Sequence, residues 1–216
     1  MMRFKVLVWV TLVIALSIVI YVLRHEQQSF PPAVVIETRG HSLQGNVNAS
    51  VKIVVFEDLK CRFCARFNTS IMSEIKKRYI DTGKANYTLV LLAFIPGSLP
   101  AANAAYCANS QSPLYYYQFA DIVFSDQPNE MLDWAVPLTL IDFAKKVHGL
   151  DVAKFKSCLE RQPYQMNALA NMTLAKKVMG PQVMTPGVYV NGVRVFPLTI
   201  KKMIDTIEWT LQKTKG

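Results

Sequence analysis

The run Val51-Lys52-Ile53-Val54-Val55-Phe56 leads within five residues into Cys61-Arg62-Phe63-Cys64. From there Cys64, Phe67, Ile71, Ile75 and Tyr79 recur at spacings of three and four. The first run is mostly β-branched and bounded by turn-type residues (46–50), so it reads as a buried strand. The second is one face of an amphipathic helix over 61–80, closed by Gly83. Asn86 to Phe94 is strand-like again and stops at Pro96-Gly97. A strand, a helix and a strand in direct succession call for a parallel pair joined by a crossover. The junction therefore fixes an α/β core and puts both cysteines where strand turns into helix.

From Leu99 to about Gly180 the pattern changes to helical periodicity. The expected helices are Pro100–Asn109, Leu114–Phe124, Leu138–Val147, Val152–Arg161 and Tyr164–Met179, broken near Pro113, Pro128, Pro137, Gly149 and Pro163. The end returns to strand. Val188-Tyr189-Val190 and Val193-Arg194-Val195-Phe196 flank Asn191-Gly192, a two-residue hairpin signal. Thr199 then caps a last helix from Ile200 to Gln212. An antiparallel hairpin added to a parallel crossover gives a mixed central sheet with a helical insertion. The run Tyr115-Tyr116-Tyr117 reads as helix packing, and the Asn-x-Ser/Thr triplets at Asn48, Asn68, Asn86 and Asn171 as chance.

Ahead of this, Val6 to Leu23 is apolar except for Thr11 and Ser17, with Arg3 and Lys5 before it. Eighteen helical residues cover about 27 Å, enough for a bilayer's hydrocarbon core. No Ala-x-Ala-like site follows, which favours an uncleaved anchor over a cleaved leader. The basic N-terminal flank places the remainder of the chain outside the cytoplasm. Pro31-Pro32 ends a short stiff spacer, and Val34–Glu37 is a candidate edge strand.

The 216 residues are 51% hydrophobic and 18% charged, which excludes disorder and low-complexity classes. Four cysteines are too few for a disulfide-framework miniprotein. The net charge of +9 is spread over pairs such as Lys76-Lys77 and Lys201-Lys202, with no aromatic-interleaved basic motif. That is a solvated surface rather than a nucleic-acid footprint.

The chemistry lies in the cysteines. At a helix start the unpaired N–H groups and the macrodipole favour a Cys61 thiolate, with Lys60, Arg62 and Arg66 adding positive charge. Cys64, one turn in, is at disulfide-forming distance. Cys61 then exchanges with substrate and Cys64 resolves the mixed disulfide. Zinc needs four ligands, and neither a second Cys-x-x-Cys nor a paired-histidine motif accompanies the first. A soft-metal site for copper on the two thiols stays open as a metallochaperone reading. Cys107 and Cys158, the remaining two, suit a structural disulfide in an exported chain, or two separate buried thiols.

Two segments carry a family resemblance: Val54 through Cys64, and Thr185-Pro186-Gly187-Val188-Tyr189-Val190-Asn191-Gly192. Together they resemble the DsbA-like thiol:disulfide oxidoreductases, over about Val47 to Gln212. The resemblance implies an α/β thioredoxin fold, a mixed central sheet with an inserted helical domain, here preceded by an N-terminal membrane-spanning helix. The chain then divides into a cytoplasmic stub (1–5), a transmembrane signal-anchor (6–23), and a linker with the candidate edge strand (24–46). The thioredoxin-fold parts are 47–97 and 181–216, with the helical insertion at 98–180. Cys61 and Cys64 are implied as the catalytic pair. Pro186 is implied to be cis and, with Thr185, to bind substrate backbone. Two departures stand out. Arg62 occupies a position that is proline in many relatives. Val55 stands where many have a buried glutamate six residues before the first cysteine, which leaves Glu57 or Asp58 as the nearest acids; in strand alternation at most one of them points inward.

The expectation is an exported enzyme that exchanges disulfides with protein substrates, as oxidase rather than thioredoxin-like reductant, in the bacterial periplasm and held at the inner membrane. A cleaved, soluble periplasmic form is the alternative. It needs no cofactor beyond its redox-active disulfide and no metal, and it requires a partner that restores its redox state.

Overall fold

The computed structural model describes the backbone over residues 2–25 and 30–214, and side chains over 9–20 and 30–214. It separates into two units, Met1–Pro31 and Pro32–Gly216. The first contains the helix Met2–His25. Its described side chains are exposed on all sides, among them Trp9, Leu12, Val13, Leu16 and Ile18. Among the described residues no helix is long and apolar enough to cross a membrane. The expected span over 6–23 is thus not established: the described side chains 9–20 cover only about 18 Å, against a core of about 30 Å. The rest of that run lies outside the residues whose side chains are described.

The second unit is built on a five-stranded sheet in the order β1-β3-β2-β4-β5. The strands are β1 (Gln44–Gly45), β2 (Val51–Glu57), β3 (Ala85–Leu91), β4 (Gly187–Val190) and β5 (Val193–Arg194). The pair β2 and β3 is parallel, with Ile53 opposite Tyr87 and Val55 opposite Leu89. The pairs β1–β3, β2–β4 and β4–β5 are antiparallel, so the sheet is mixed. Asn191 and Gly192 both have positive φ, the requirement of the tight turn that their sequence signals.

Three details differ from the sequence expectation. The edge strand falls at Gln44–Gly45 rather than Val34–Glu37. The earlier segment instead crosses the hairpin turn, where Val34 N donates to Gly192 O at 2.9 Å. The backbones meet so closely that a Cβ on Gly192 would lie 2.1 Å from that segment's Val34 O. β3 stops at Leu91 rather than Phe94, because the Asp58 carboxylate takes the Phe94 and Ile95 amides at 2.7 and 2.8 Å. The helix over 62–80 is continuous but alternates α-turns (Arg62–Arg66, Ser73–Ile75) with wider π-turns (Phe67–Met72, Lys76–Ile80).

Every residue of β3 is buried, so both sheet faces are covered. Ile53, Val55, Val188 and Val190 join the larger core beneath the 62–80 helix, with Met203 and Ile207 of the C-terminal helix Ile200–Lys213. Val54, Phe56, Val90 and Tyr189 face the other way, against Ala175 of the helix Gln165–Met179. The insertion supplies Leu99–Asn109, Pro113–Ser125, Pro137–Lys145 and Val152–Arg161. A disulfide joins Cys107 of the first to Cys158 of the last. The buried tyrosines dock the insertion on the sheet: Tyr116 Oη donates to Leu89 O at 3.1 Å and Tyr117 Oη lies 2.9 Å from Tyr87 O.

Candidate active site

The end of β2 aims the chain at the site. Glu57 is the last strand residue, and Asp58 begins a turn in which Cys61 N donates to Asp58 O at 3.0 Å. Cys61 itself is the extended residue capping the helix, and its carbonyl accepts from Ala65 N at 3.0 Å. Cys61 and Cys64 are both free thiols, 4% and 0% exposed. Across the gap the Thr185–Pro186 peptide is cis, and Thr185 O lies 3.7 Å from Cys61 Sγ.

The two thiols are electrostatically unequal. Cys61 is lowered to about 6 from the ordinary 9.0, chiefly by a hydrogen bond from the Cys64 thiol. The Thr185 side chain and the Cys64 and Phe63 amides add to this, while burial opposes it. Cys64 is pushed well above the ordinary value, first by burial and then by its hydrogen bond to Cys61 and the charge of Glu57. The helix N-terminus thus acts through specific amides, as its geometry requires.

The cations flanking the cysteines have separate roles. Lys60 is buried, and its Nζ donates to Pro96 O at 3.1 Å. Arg62 is exposed and lies 3.5 Å from Glu130 of the loop between two inserted helices. Glu130 also accepts from Arg62 N at 3.1 Å. Arg66 lies one turn on, at the edge of a groove. None of the three is among the leading contributors to the Cys61 shift.

Both acids before Cys61 are fully buried, against the expectation that at most one would be. Alternation holds only while the strand lasts, and Asp58 sits just past it. Asp58 is structural in its contacts: it accepts from Lys60 N, Phe94 N, Ile95 N and Ser98 Oγ. Glu57 instead lies beneath the helix. Asn68 Nδ2, one turn beyond Cys64, donates to both of its oxygens at 2.8 Å. Burial raises the Glu57 carboxyl to about 8, with the hydrogen bonds of Asn68 opposing.

Other contributors have no sequence signature. Gln127 Nε2 donates to Leu59 O at 2.7 Å and to Cys61 O at 3.3 Å, tying the insertion to the cysteine turn. Phe196–Pro197 is a second cis peptide. Neither Gln127 nor Glu130 belongs to a recognisable motif; only the fold brings them to Cys61. Among the described residues no cluster of three or more His, Cys, Asp or Glu is arranged to hold a metal ion.

This arrangement coincides with a recognised family. Residues 37–209 match the family described as Thioredoxin. The chain is 30% identical over 154 residues to disulfide bond formation protein D of Bacillus subtilis, covering 71% of this chain and 68% of that protein. In structure it resembles oxidised BdbD from Bacillus subtilis, with a TM-score of 0.77 at 27% identity over 85% of this chain and 100% of the other. DsbA from Chlamydia trachomatis follows at 0.73 and 27%, over 86% and 97%. With its insertion lodged inside a thioredoxin sheet, the chain belongs to the thioredoxin family, in its DsbA-like branch, and is a protein thiol:disulfide oxidoreductase.

Proposed function

We propose that this oxidoreductase works as an oxidase, forming disulfides in exported proteins through Cys61 and Cys64. The observation that carries the direction is the inequality of the two thiols. A thiol held near 6 is a good leaving group and a stabilised product of reduction, both of which favour giving the disulfide away.

In the cycle, a substrate thiolate attacks Cys61 Sγ of the Cys61–Cys64 disulfide. The enzyme's S–S bond breaks, Cys64 departs and takes a proton, and a mixed disulfide joins substrate to Cys61. The substrate's second thiolate then attacks the substrate sulfur of that bond and expels Cys61 as thiolate. Two electrons have passed from substrate to enzyme, and a redox partner must remove them. The Thr185–Pro186 loop, facing Cys61, supplies backbone partners for the substrate segment. Glu57, beneath the Cys64 turn and near neutrality in its titration, exchanges the Cys64 proton. The pair is the redox centre, with no cofactor or metal required and no role for nucleic acid.

The exposed apolar side chains along 9–20 of the first helix support a membrane anchor over 6–23. With Arg3 and Lys5 on the cytoplasmic side, the catalytic unit lies in the periplasm. A cleaved, soluble periplasmic form is the alternative.

The test is the reduction potential of the pair, by equilibrium with glutathione and dithiothreitol. A value toward about −120 mV supports the oxidase, and one near about −270 mV would make the protein a reductant instead. Cys61→Ser should abolish turnover, and Cys64→Ser should accumulate mixed disulfides with substrates.

A further inference from the structure

The start of the active-site helix is shared between two acidic groups. Cys61 caps it, and the amides of the second and third helical residues, Phe63 and Cys64, serve the sulfur. The first helical amide is used differently. Arg62 N donates to Glu130 Oε2 at 3.1 Å, and Arg62 Nε lies 3.5 Å from Glu130 Oε1. Glu130 belongs to the loop between Pro113–Ser125 and Pro137–Lys145, which is tied down at several points. Asp126 pairs with Lys146 at 2.7 Å, Gln127 holds Leu59 O and Cys61 O, and Asn129 Oδ1 accepts from Met131 N at 3.0 Å. The Glu130 side chain is 24% exposed against 68% for Arg62, so water screens the cation more than the acid.

The other charges around the cysteine turn are placed apart from this pair. Lys60 Nζ is on Pro96 O and, with Asp133 Oδ1, borders Gly97. Arg66 lies a turn further along the helix, Glu57 and Asp58 are buried, and residues 183–187 around the cis-proline carry no charge. Two negative charges at one helix start oppose each other, but the Cys61 thiolate exists only in the dithiol form. We propose that Glu130 is a positioning residue that limits the oxidising strength of the pair: its carboxylate takes the first helical amide, neutralises Arg62, and so disfavours the Cys61 thiolate relative to the disulfide. This rests on the reading of Cys61 and Cys64 as the exchanging pair, and it sets how readily a redox partner restores their disulfide. The insertion thereby acts on the chemistry of the thioredoxin-fold part through one side chain.

The test is a charge series at one position in the full chain: the parent, Glu130→Gln and Glu130→Lys. Gln keeps an oxygen for Arg62 N and removes only the charge. Each protein is equilibrated with glutathione at about pH 7, where the reduced Cys61 is mainly thiolate. Two glutathione thiols reduce the Cys61–Cys64 disulfide, leaving glutathione disulfide, a Cys61 thiolate, a Cys64 thiol and one proton. The equilibrium constant for that reduction should rise about threefold in Glu130→Gln, the scale of one charge at a helix terminus, and further in Glu130→Lys. The Cys61 midpoint, followed by thiolate absorbance, should fall by about half a unit in the first and further in the second. A Glu130 that merely fastened the loop would change stability without either quantity following the charge. Should Glu130→Lys fail to fold, Glu130→Gln decides alone. An unchanged or raised midpoint in Glu130→Gln would overturn the proposal while leaving the exchange reading intact. A parent whose Cys61–Cys64 disulfide does not exchange with glutathione would overturn that reading and this tuning with it.

Discussion

Cys61 and Cys64 share one helical turn yet are driven apart in acidity, because each serves the other's charge state. The Cys64 thiol donates to Cys61, so the thiolate on one end requires the proton on the other. Alkylation of the reduced enzyme should therefore rise with a midpoint near 6 and modify Cys61 alone. Cys64→Ala removes the largest favourable contribution and should move that midpoint upward by about one unit, followed by thiolate absorbance. Glu57 gives a second prediction. A carboxyl titrating near 8 takes the Cys64 proton more readily as pH rises, so collapse of a Cys61–glutathione mixed disulfide should accelerate through that range. The midpoint should lie slightly below 8, since the mixed disulfide removes the Cys61 charge that helps raise it. Glu57→Gln should flatten this profile and slow collapse by about tenfold at alkaline pH. The same variant should be more stable than the parent by about 1–3 kcal/mol near pH 8, because an acid held neutral by burial is lost. A merely structural Glu57 would change stability without moving the pH profile.

The elements differ in how far local sequence determines them. Periodicity and breakers locate the inserted helices to within two residues, and Val152–Arg161 at both ends, since Asp151 caps it through Lys154 N. Thr199 caps the last helix through Lys202 N in the same way. What was illegible depends on distant partners. The end of β3 is decided by Asp58, far away in sequence, and the edge strand by which segment reaches Asn86 and Tyr87. The triplets at Asn68 and Asn171 read as chance, and the burial of both side chains agrees; their roles, Asn68 on Glu57 and Asn171 on Leu91 O and Tyr106 Oη, have no sequence signature. At the site, the cysteine turn and the proline loop were legible because each is a local motif. Glu130 and Gln127 reach the cysteine turn only after folding. The disulfide between Leu99–Asn109 and Val152–Arg161 carries the prediction at this scale. It spans 51 residues, for which loop closure in the unfolded chain is worth about 4 kcal/mol. Replacing Cys107 and Cys158 together by Ala should lower urea stability by up to that amount. The Cys61 alkylation midpoint should stay in place, because the bond lies within the insertion.

Across the whole molecule, two titrations tie stability to redox state with opposite signs. The Cys61 folded value of about 6 is below the ordinary 9.0. Its contribution to the dithiol form is complete above 9, declines as pH falls, and is gone below 6. The Glu57 folded value of about 8 is above the ordinary 4.5, so its contribution is complete below 4.5 and lost as pH rises through 8. In the dithiol form the two slopes oppose each other between pH 6 and 8. In the disulfide form Cys61 cannot titrate, and only the Glu57 slope remains. Subtracting one unfolding free energy from the other leaves the Cys61 slope as the main term below about pH 8, with a small change in Glu57 from loss of the Cys61 charge. Toward about pH 9 the raised Cys64 opposes it. Urea unfolding of both forms should show the dithiol form gaining on the disulfide form from pH 6 toward 8, by at most about 1.4 kcal/mol per pH unit, before Cys64 begins to oppose it. Because folding and reduction close a thermodynamic cycle, the same gain measures how far the fold makes this disulfide more oxidising than an unstrained one in the unfolded chain. A gap that stays constant across that range would mean that folding does not stabilise the Cys61 thiolate, and the oxidase direction would lose its physical basis.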